Sequence, residues 1–409
     1  MALKGWKLTS LKEVCSNQLQ TGPFGSQLHS HEYVDEGIPV LMPKDLIDFR
    51  ANIATAAKIT EERAKDLKKH WLQKGDIIFS RRGDVARFAL IDEQASNAVC
   101  GTGCLRARVS TQYYPEYISY FLQLHQVGKW LEQNAVGQTM PNLNTEILGE
   151  LPLKLATNLK EQTEIAQILS TWDKAITTTE QLLANSQQQK KALMQQLLTG
   201  KKRLRDDNGV RFSGEWKKVK LGSVADMNSG GTPKSSVEEY YGGDIPWVSI
   251  ADMTKHGKWI VSTEKYLTPL GLENSSARIY PKNSILYAMY ASIGECSIAK
   301  VPLSSSQAIL GIRPKDSLDY EYLYFFLSSL KEKIKLQGQQ GTQSNLNAGM
   351  VKDFTIKLPS MDEQQKIAAV LNSVDQKIST LQQKLGTLKQ EKQALMQQLW
   401  TGKRRVKLN

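Results

Sequence analysis

The feature that most constrains this chain is a segment written twice. Residues 161–204 read EQTEIAQILSTWDKAITTTEQLLANSQQQKKALMQQLLTGKKRL, and residues 363–406 read EQQKIAAVLNSVDQKISTLQQKLGTLKQEKQALMQQLWTGKRRV. The offset is a constant 202 residues without a gap, and 22 of the 44 aligned positions are identical. A repeat of this kind resets any reading of the fold. Positions 165, 169, 172, 176, 179, 183, 186, 190, 193 and 197 step by four and three throughout, and they include Ile165, Leu169, Trp172, Ile176, Leu183, Leu193 and Leu197. The same series in the second copy carries Ile367, Leu371, Val374, Ile378, Leu381, Leu385, Leu388, Leu395 and Leu399. A strict 3.5 period is the pattern of a coiled-coil seam. Neither copy contains proline, Gly386 is the one glycine inside the helical run, and Gly200 and Gly402 follow where a helix commonly ends.

Chain order fixes the sense of pairing if the two helices pack on each other. The first runs from an N-terminal block towards a second block, and the second starts beyond that block and must run back. The pair is therefore expected to be antiparallel, pseudo-twofold, with the chain nearly circular. Lys190 and Lys392 share one seam position. A symmetric antiparallel register puts Lys190 near Val374 and Lys392 near Trp172, keeping the two ammonium groups apart, whereas a parallel register would bring like charges together. About 35 helical residues span roughly 50 Å, against about 34 Å for a turn of B-DNA.

The two blocks echo each other more faintly. Glu215-Trp216-Lys217 matches Gly5-Trp6-Lys7, Ile245-Pro246-Trp247-Val248 matches Ile38-Pro39-Val40-Leu41, and Ser284-Ile285-Leu286-Tyr287 matches Asp76-Ile77-Ile78-Phe79. These short apolar runs bounded by breakers predict strands. Helical spacing is predicted from Pro115 to Trp130 and from Tyr320 to Leu330. The polar loop 137–144 matches 341–347. One fold carrying two different surfaces is the expectation, with recognition in the blocks and scaffolding in the repeats.

The net charge of +12 suggests a polyanionic partner such as nucleic acid, solubility alone being the plainer alternative. No run of 18 apolar residues exists, so no membrane span is expected. The N-terminus lacks the apolar stretch of a signal peptide, and four scattered cysteines suit a reducing cytoplasm. Cys100 and Cys104 lack a second pair, and His29 and His31 lack a third ligand, so no metal site is expected. There is no GxxxxGK[ST] phosphate loop, GxGxxG or HExxH, and Ser304-Ser305-Ser306 has no nucleophile context.

The arrangement resembles the specificity subunit of type I restriction–modification systems over essentially the whole chain. The resemblance rests on Leu358-Pro359 with Glu363-Gln364-Gln365-Lys366-Ile367-Ala368, on Ala394-Leu395-Met396-Gln397-Gln398-Leu399 with Thr401-Gly402-Lys403, on their first copies, and on the Asn-Leu-Asn loops at 142–144 and 345–347. The first copy departs at Ala156-Thr157-Asn158-Leu159, where the second has Leu358-Pro359-Ser360-Met361. It implies an α+β chain with two homologous α/β target-recognition domains separated by a two-helix antiparallel coiled coil. The segments are 1–150 (first recognition domain), 151–205 (first helical spacer), 206–355 (second recognition domain) and 356–409 (second spacer). It further implies that each recognition domain reads one half of a bipartite, asymmetric double-stranded DNA target, and that the helices set the gap and dock two modification (methyltransferase) subunits. The chain itself is then non-catalytic and binds no cofactor. S-adenosylmethionine belongs on the modification subunit, and ATP and magnesium on the restriction subunits of the full complex. A bacterial or archaeal cytoplasm is the expected location. The competing reading is a coiled-coil scaffold with two heads for non-DNA ligands.

Base readout needs Arg, Lys, Asn or Gln presented on loops at the groove, and phosphates need cations or backbone N–H groups. In the first block the candidates are Lys44, Arg81, Arg82, Arg87, Gln138 and Asn142, and in the second Lys234, Tyr290, Ser292, Gln340, Gln343 and Asn345. Arg81 and Arg82 can instead be a solvated turn, and Asn142 and Asn345 side-chain caps. The glycine turns at 22–25 and 230–231 are expected to admit close backbone approach. Lys201–Arg203 and Lys403–Arg405 either touch phosphates or cap helix ends.

Overall fold

A computed structural model describes residues 5–25, 27–137, 139–339 and 346–407. The chain divides into two compact units: Met1–Glu180 with Lys384–Asn409, and Gln181–Gln383. The first unit thus takes in both ends of the chain, and both unit boundaries fall inside long helices, Leu159–Leu197 and Met361–Trp400.

In the first unit the strand Trp6–Ser10 pairs antiparallel with Pro152–Ala156, Trp6 opposite Ala156. The main sheet has six strands in the order Leu19–Thr21, Cys104–Arg108, Asp76–Ser80, Phe88–Leu90, Arg50–Ala51 and Leu46–Ile47. Every residue of Asp76–Ser80 is buried, because this central strand is covered on both faces. Alternation then sorts its side chains. Ile77 and Phe79 join a core built with the helices, and Ile78 joins a second core with Leu41, Leu72 and Cys104. A three-stranded sheet, Ala57–Ile59, Ile38–Leu41 and Val99–Cys100, completes the head.

The second unit repeats the plan. Lys217–Lys220 pairs with Thr355–Leu358. A five-stranded sheet runs Ala225–Ser229, Ile309–Pro314, Ile285–Ala288, Cys296–Ala299 and Trp259–Ile260. Ile285 and Tyr287 face the helix-side core while Leu286 and Ala288 face the other. Lys265–Leu267, Tyr241–Val248 and Ser304–Ser305 form the small sheet. The faint echo between the blocks is thus a shared order of five strands, with the sixth, edge strand Leu46–Ile47 peculiar to the first.

One predicted helix is two. Pro115–Leu122 and His125–Asn134 are separated where Leu124 takes an extended backbone and packs its side chain against the core. That break lets Val127 and Leu131 re-enter the same core from a new direction. The second unit keeps one unbroken helix, Tyr320–Gln339.

The long helices behave as their period demands. In the first unit Ile165 and Leu169 are fully buried with Leu395 and Leu399, Trp172 packs against that core, and Ile176, Leu385 and Leu388 are half-buried. In the second, Leu197 is buried with Ile367 and Leu371, Leu193 packs against them, and Leu183, Val374, Ile378 and Leu381 are half-buried. The pairing is antiparallel inside each unit. Glu161 meets Arg405 at 3.0 Å while Asp173 meets Lys392 at 2.6 Å. Arg203 meets Glu363 at 2.6 Å while Lys190 meets Asp375 at 2.6 Å. The expected neighbours of the two seam lysines, Val374 and Trp172, are each one residue from these acids. The helix starts, Leu159 and Met361, are exactly equivalent positions of the repeat, so the departure at 156–159 does not move the first helix start.

Candidate nucleic-acid interface

The fully buried strand Asp76–Ser80 delivers the chain to the turn Arg81–Asp84, and hydrogen bonds stitch three loops together there. The Arg81 N–H donates to Gly103 O at 2.7 Å, and its carbonyl accepts from Leu143 N at 2.8 Å. Gly83 N donates to Pro141 O at 3.0 Å, and Arg82 bridges Asn142. Arg87 spans from Asp84, at 3.1 Å, to the carbonyl of Pro43, at 3.3 Å, which ties in the exposed turn bearing Lys44. Lys44, Arg81, Arg82, Arg87 and Asn142 therefore come together at one edge of the first head. Gln138 lies outside the described residues.

Three polar atoms buried in this cluster, Arg81 Nε, Thr102 Oγ1 and Asn142 Oδ1, have no hydrogen-bond partner among the described residues. Each such atom costs about 1–3 kcal/mol if left unmet. They lie beside the exposed cations Lys44, Arg82 and Arg87. Beside them Phe24 is 54% exposed, with the Arg81 guanidinium carbon 5.8 Å from its ring centroid.

The second head builds the same junction from other residues. The strand Ile285–Ala288 leads into the turn 289–294, and Leu346 N donates to Met289 O at 3.1 Å, the counterpart of the Leu143–Arg81 bond. Tyr290 is exposed on that turn, and the Ser292 carbonyl accepts from Glu295 N at 3.0 Å. Met289 N reaches Ala308 O at 2.9 Å, next to Gln307, whose side chain accepts from the Thr232 hydroxyl. Lys234, exposed, follows two residues on. Gln340, Gln343 and Asn345 lie outside the described residues.

Two expectations need correction. The caps of the short helices are Asn144, accepting from Ile147 N at 2.7 Å, and Asn347, accepting from Met350 N at 3.0 Å. Asn142 is not a cap; its backbone pairs with Val136. Nor do Gly22, Gly230 and Gly231 leave room for a ligand, whereas Gly25 has open space around it. A Cβ on Gly22 would lie 2.0 Å from Gly101 O, and one on Gly230 2.3 Å from Ser305 O, so these positions are filled by the head's own backbone. The residues that sequence reasoning missed are Phe24, Thr102, Thr232 and Gln307. The flanking Gly22-Pro23 and Gly25 were the available signal for Phe24.

The clusters after the helices divide. Arg203 and Arg405 close a clasp in their respective units, each on a buried glutamate that also accepts from a tryptophan, Trp216 Nε1 to Glu363 at 3.1 Å and Trp6 Nε1 to Glu161 at 3.3 Å. Lys201, Lys202, Lys403 and Arg404 remain exposed. In the first unit, Tyr120 also donates to Asp173 at 2.6 Å, and burial, then that bond, holds its phenol above the usual range. Burial pushes the Lys258 ammonium down, opposed by Glu321, amid Trp259, Tyr324 and Phe325.

Among the described residues no group of three or more His, Cys, Asp or Glu is placed to hold a metal ion, and no helix is long and apolar enough to cross a membrane.

The family described as type I restriction modification DNA specificity domain matches this chain twice, at residues 3–185 and 213–390. The chain is similar to the type I restriction enzyme MjaIX specificity subunit of Methanocaldococcus jannaschii, 35% identical over 167 residues, 40% of this chain and 39% of that protein's length. It is 27% identical to the MjaVIII specificity subunit of the same organism over 305 residues, 71% of this chain and 70% of that protein. Its fold is like that of the S subunit of a type I restriction–modification system from M. genitalium, with a TM-score of 0.60, 16% identity and coverage of 99% and 97% of the two chains. A chain from a structural study of type I complex assembly and conformational transition gives a TM-score of 0.61 at 18% identity, covering 98% of each.

Proposed function

Because the chain belongs to the type I restriction modification DNA specificity family, with two copies of its domain, we propose that it is the subunit that chooses the DNA sequence for a modification and restriction complex. Each head reads one half of a bipartite, asymmetric target. The helices set the gap and dock two modification subunits. In this reading the methyl donor and ATP are held by the partner subunits, and this chain contributes recognition alone.

The observation that carries the reading is the pairing of one strand order with two different loop edges. The first head offers Lys44, Arg81, Arg82, Arg87 and Asn142 where the second offers Lys234, Tyr290 and Ser292, on equivalent junctions. Two heads that share a frame and differ at one edge suit two different half-sites. Gln138, Gln340, Gln343 and Asn345 remain candidates from the sequence alone.

Methylation sequencing of a host carrying this chain with its modification partner tests the proposal. The expected result is a motif of two defined halves around a fixed gap. Exchange of residues 1–150 for those of a relative changes one half and leaves the other. Absence of any bipartite motif, or a simultaneous change in both halves, overturns it.

A further inference from the structure

In the first head an apolar ring stands where polar readout is expected. Phe24 is exposed on a loop tied down by hydrogen bonds. Gly22 N donates to Cys104 O at 2.9 Å, Phe24 N to Gln27 Oε1 at 3.0 Å, and Gln27 N back to Phe24 O at 2.8 Å. The missing Cβ of Gly22 lets this loop press onto Gly101, which sets the ring beside Arg81. The guanidinium carbon lies 5.8 Å from the ring centroid, and its Nε has no hydrogen-bond partner among the described residues. A cation within about 6 Å of an aromatic face is attracted to it, and the planar N–H fork of a guanidinium suits paired acceptors. Thr102 Oγ1 and Asn142 Oδ1, also unmet, complete the surroundings.

We infer that Phe24 and Arg81 act as one reading element of the first head, Phe24 meeting the C5-methyl group of a thymine and Arg81 donating to a neighbouring guanine; this rests on the DNA-reading function proposed above. The thymine methyl is the apolar group that base edges display in the major groove, and guanine O6 and N7 are the acceptors a guanidinium fits best. An exposed phenyl beside a guanidinium matches that pair of groups. The second head has hydrogen-bonding chemistry in the corresponding loop, the Thr232 hydroxyl donating to Gln307. A methyl-dependent contact therefore belongs to the first half-site.

The test uses the full chain with its modification partner and duplexes bearing the motif found by methylation sequencing, each thymine replaced in turn by uracil, which lacks only the methyl. One replacement in the half-site assigned to residues 1–150 is expected to weaken binding about fourfold, the worth of one buried methyl group. Phe24→Ala is expected to bind the thymine and uracil duplexes equally, with Phe24→Leu intermediate and thermal unfolding unchanged in both. The inference is overturned if no uracil in the first half-site weakens binding, if Phe24→Ala shows the same loss, or if that half-site consists of G·C pairs alone. Absence of any bipartite motif instead overturns the DNA-reading function, and this inference with it.

Discussion

His70 shows how much a single side chain of the first head depends on its surroundings. It is 3% exposed, and neither ring nitrogen has a hydrogen-bond partner among the described residues. Burial, reinforced by the Lys69 and Arg106 charges, pushes its pKa down to about 4. The unfolded chain takes up a proton near pH 6.5, whereas the folded head resists until about pH 4, so acid favours unfolding in that window. The stability is fully present above the unfolded value and falls as pH drops below it. Wild type should lose about 2 kcal/mol between pH 7 and pH 5 relative to His70→Gln. Denaturant titrations of both proteins at the two pH values check this; parallel pH profiles would show that the imidazole does not resist protonation. At this scale the sequence was least informative. The cations of the first head were recognisable because charge on a turn after a buried strand has few uses. The distinction between Asn142 and Asn144 was not, because it depends on which of two asparagines precedes a five-residue helix. Phe24 was hidden for another reason: an aromatic residue in a sequence reads as core until its exposure is seen.

At the scale of the helices, polar residues in the seam do what apolar ones cannot. Lys392 lies 14% exposed with its ammonium 2.6 Å from Asp173 and 5.2 Å from the centre of the Tyr120 ring, and Tyr120 donates to the same aspartate. Lys190 repeats the arrangement in its own unit with Asp375 and the Phe325 ring. Each lysine thus joins both helices to the head that sits on them, and a shift of register would strand a buried charge. Lys392→Met and Asp173→Ala should each destabilise the chain by about 2 kcal/mol, and the double variant by at least about 1 kcal/mol less than their sum. Equilibrium unfolding of the four proteins measures the coupling, and strict additivity would mean that the lysine is merely solvated. The seam was legible in the sequence because a 3.5 period repeated over ten positions leaves few alternatives, and its antiparallel sense because chain order allows no other; the first helix start was not, since the sequence departs there at 156–159. The acids beside the lysines were not, since Asp173 and Asp375 sit off the period. The break at Leu124 escaped for a similar reason, its apolar spacing continuing across a backbone turn.

For the molecule as a whole, the proposed role of the repeat would make spacing a property separable from sequence choice. The clasps of Arg203 on Glu363 and of Arg405 on Glu161 lie at the helix ends, and the lysine pairs lie inward of them. Residues 178–184 and 380–386 lie between the two seam-lysine pairs in the repeat and contribute to neither clasp nor to those pairs, although Glu180 makes an exposed ion pair with Lys389 at 2.7 Å. Their joint removal takes out one heptad from each helix, so that the seam on either side keeps its face and its partners. The helices shorten by about 10 Å, equivalent to about three base pairs of B-DNA. If the helices measure the gap, methylation sequencing of a host carrying this variant and its modification partner should return both half-sites unaltered and a gap shortened by about that number. The seven-residue step also turns one half-site around the duplex axis relative to the other. Removal from one helix alone breaks the register and should abolish methylation. An unchanged gap in the double deletion would mean that the heads find their half-sites independently of the helices, and altered half-sites would mean that the helices shape the reading edges themselves.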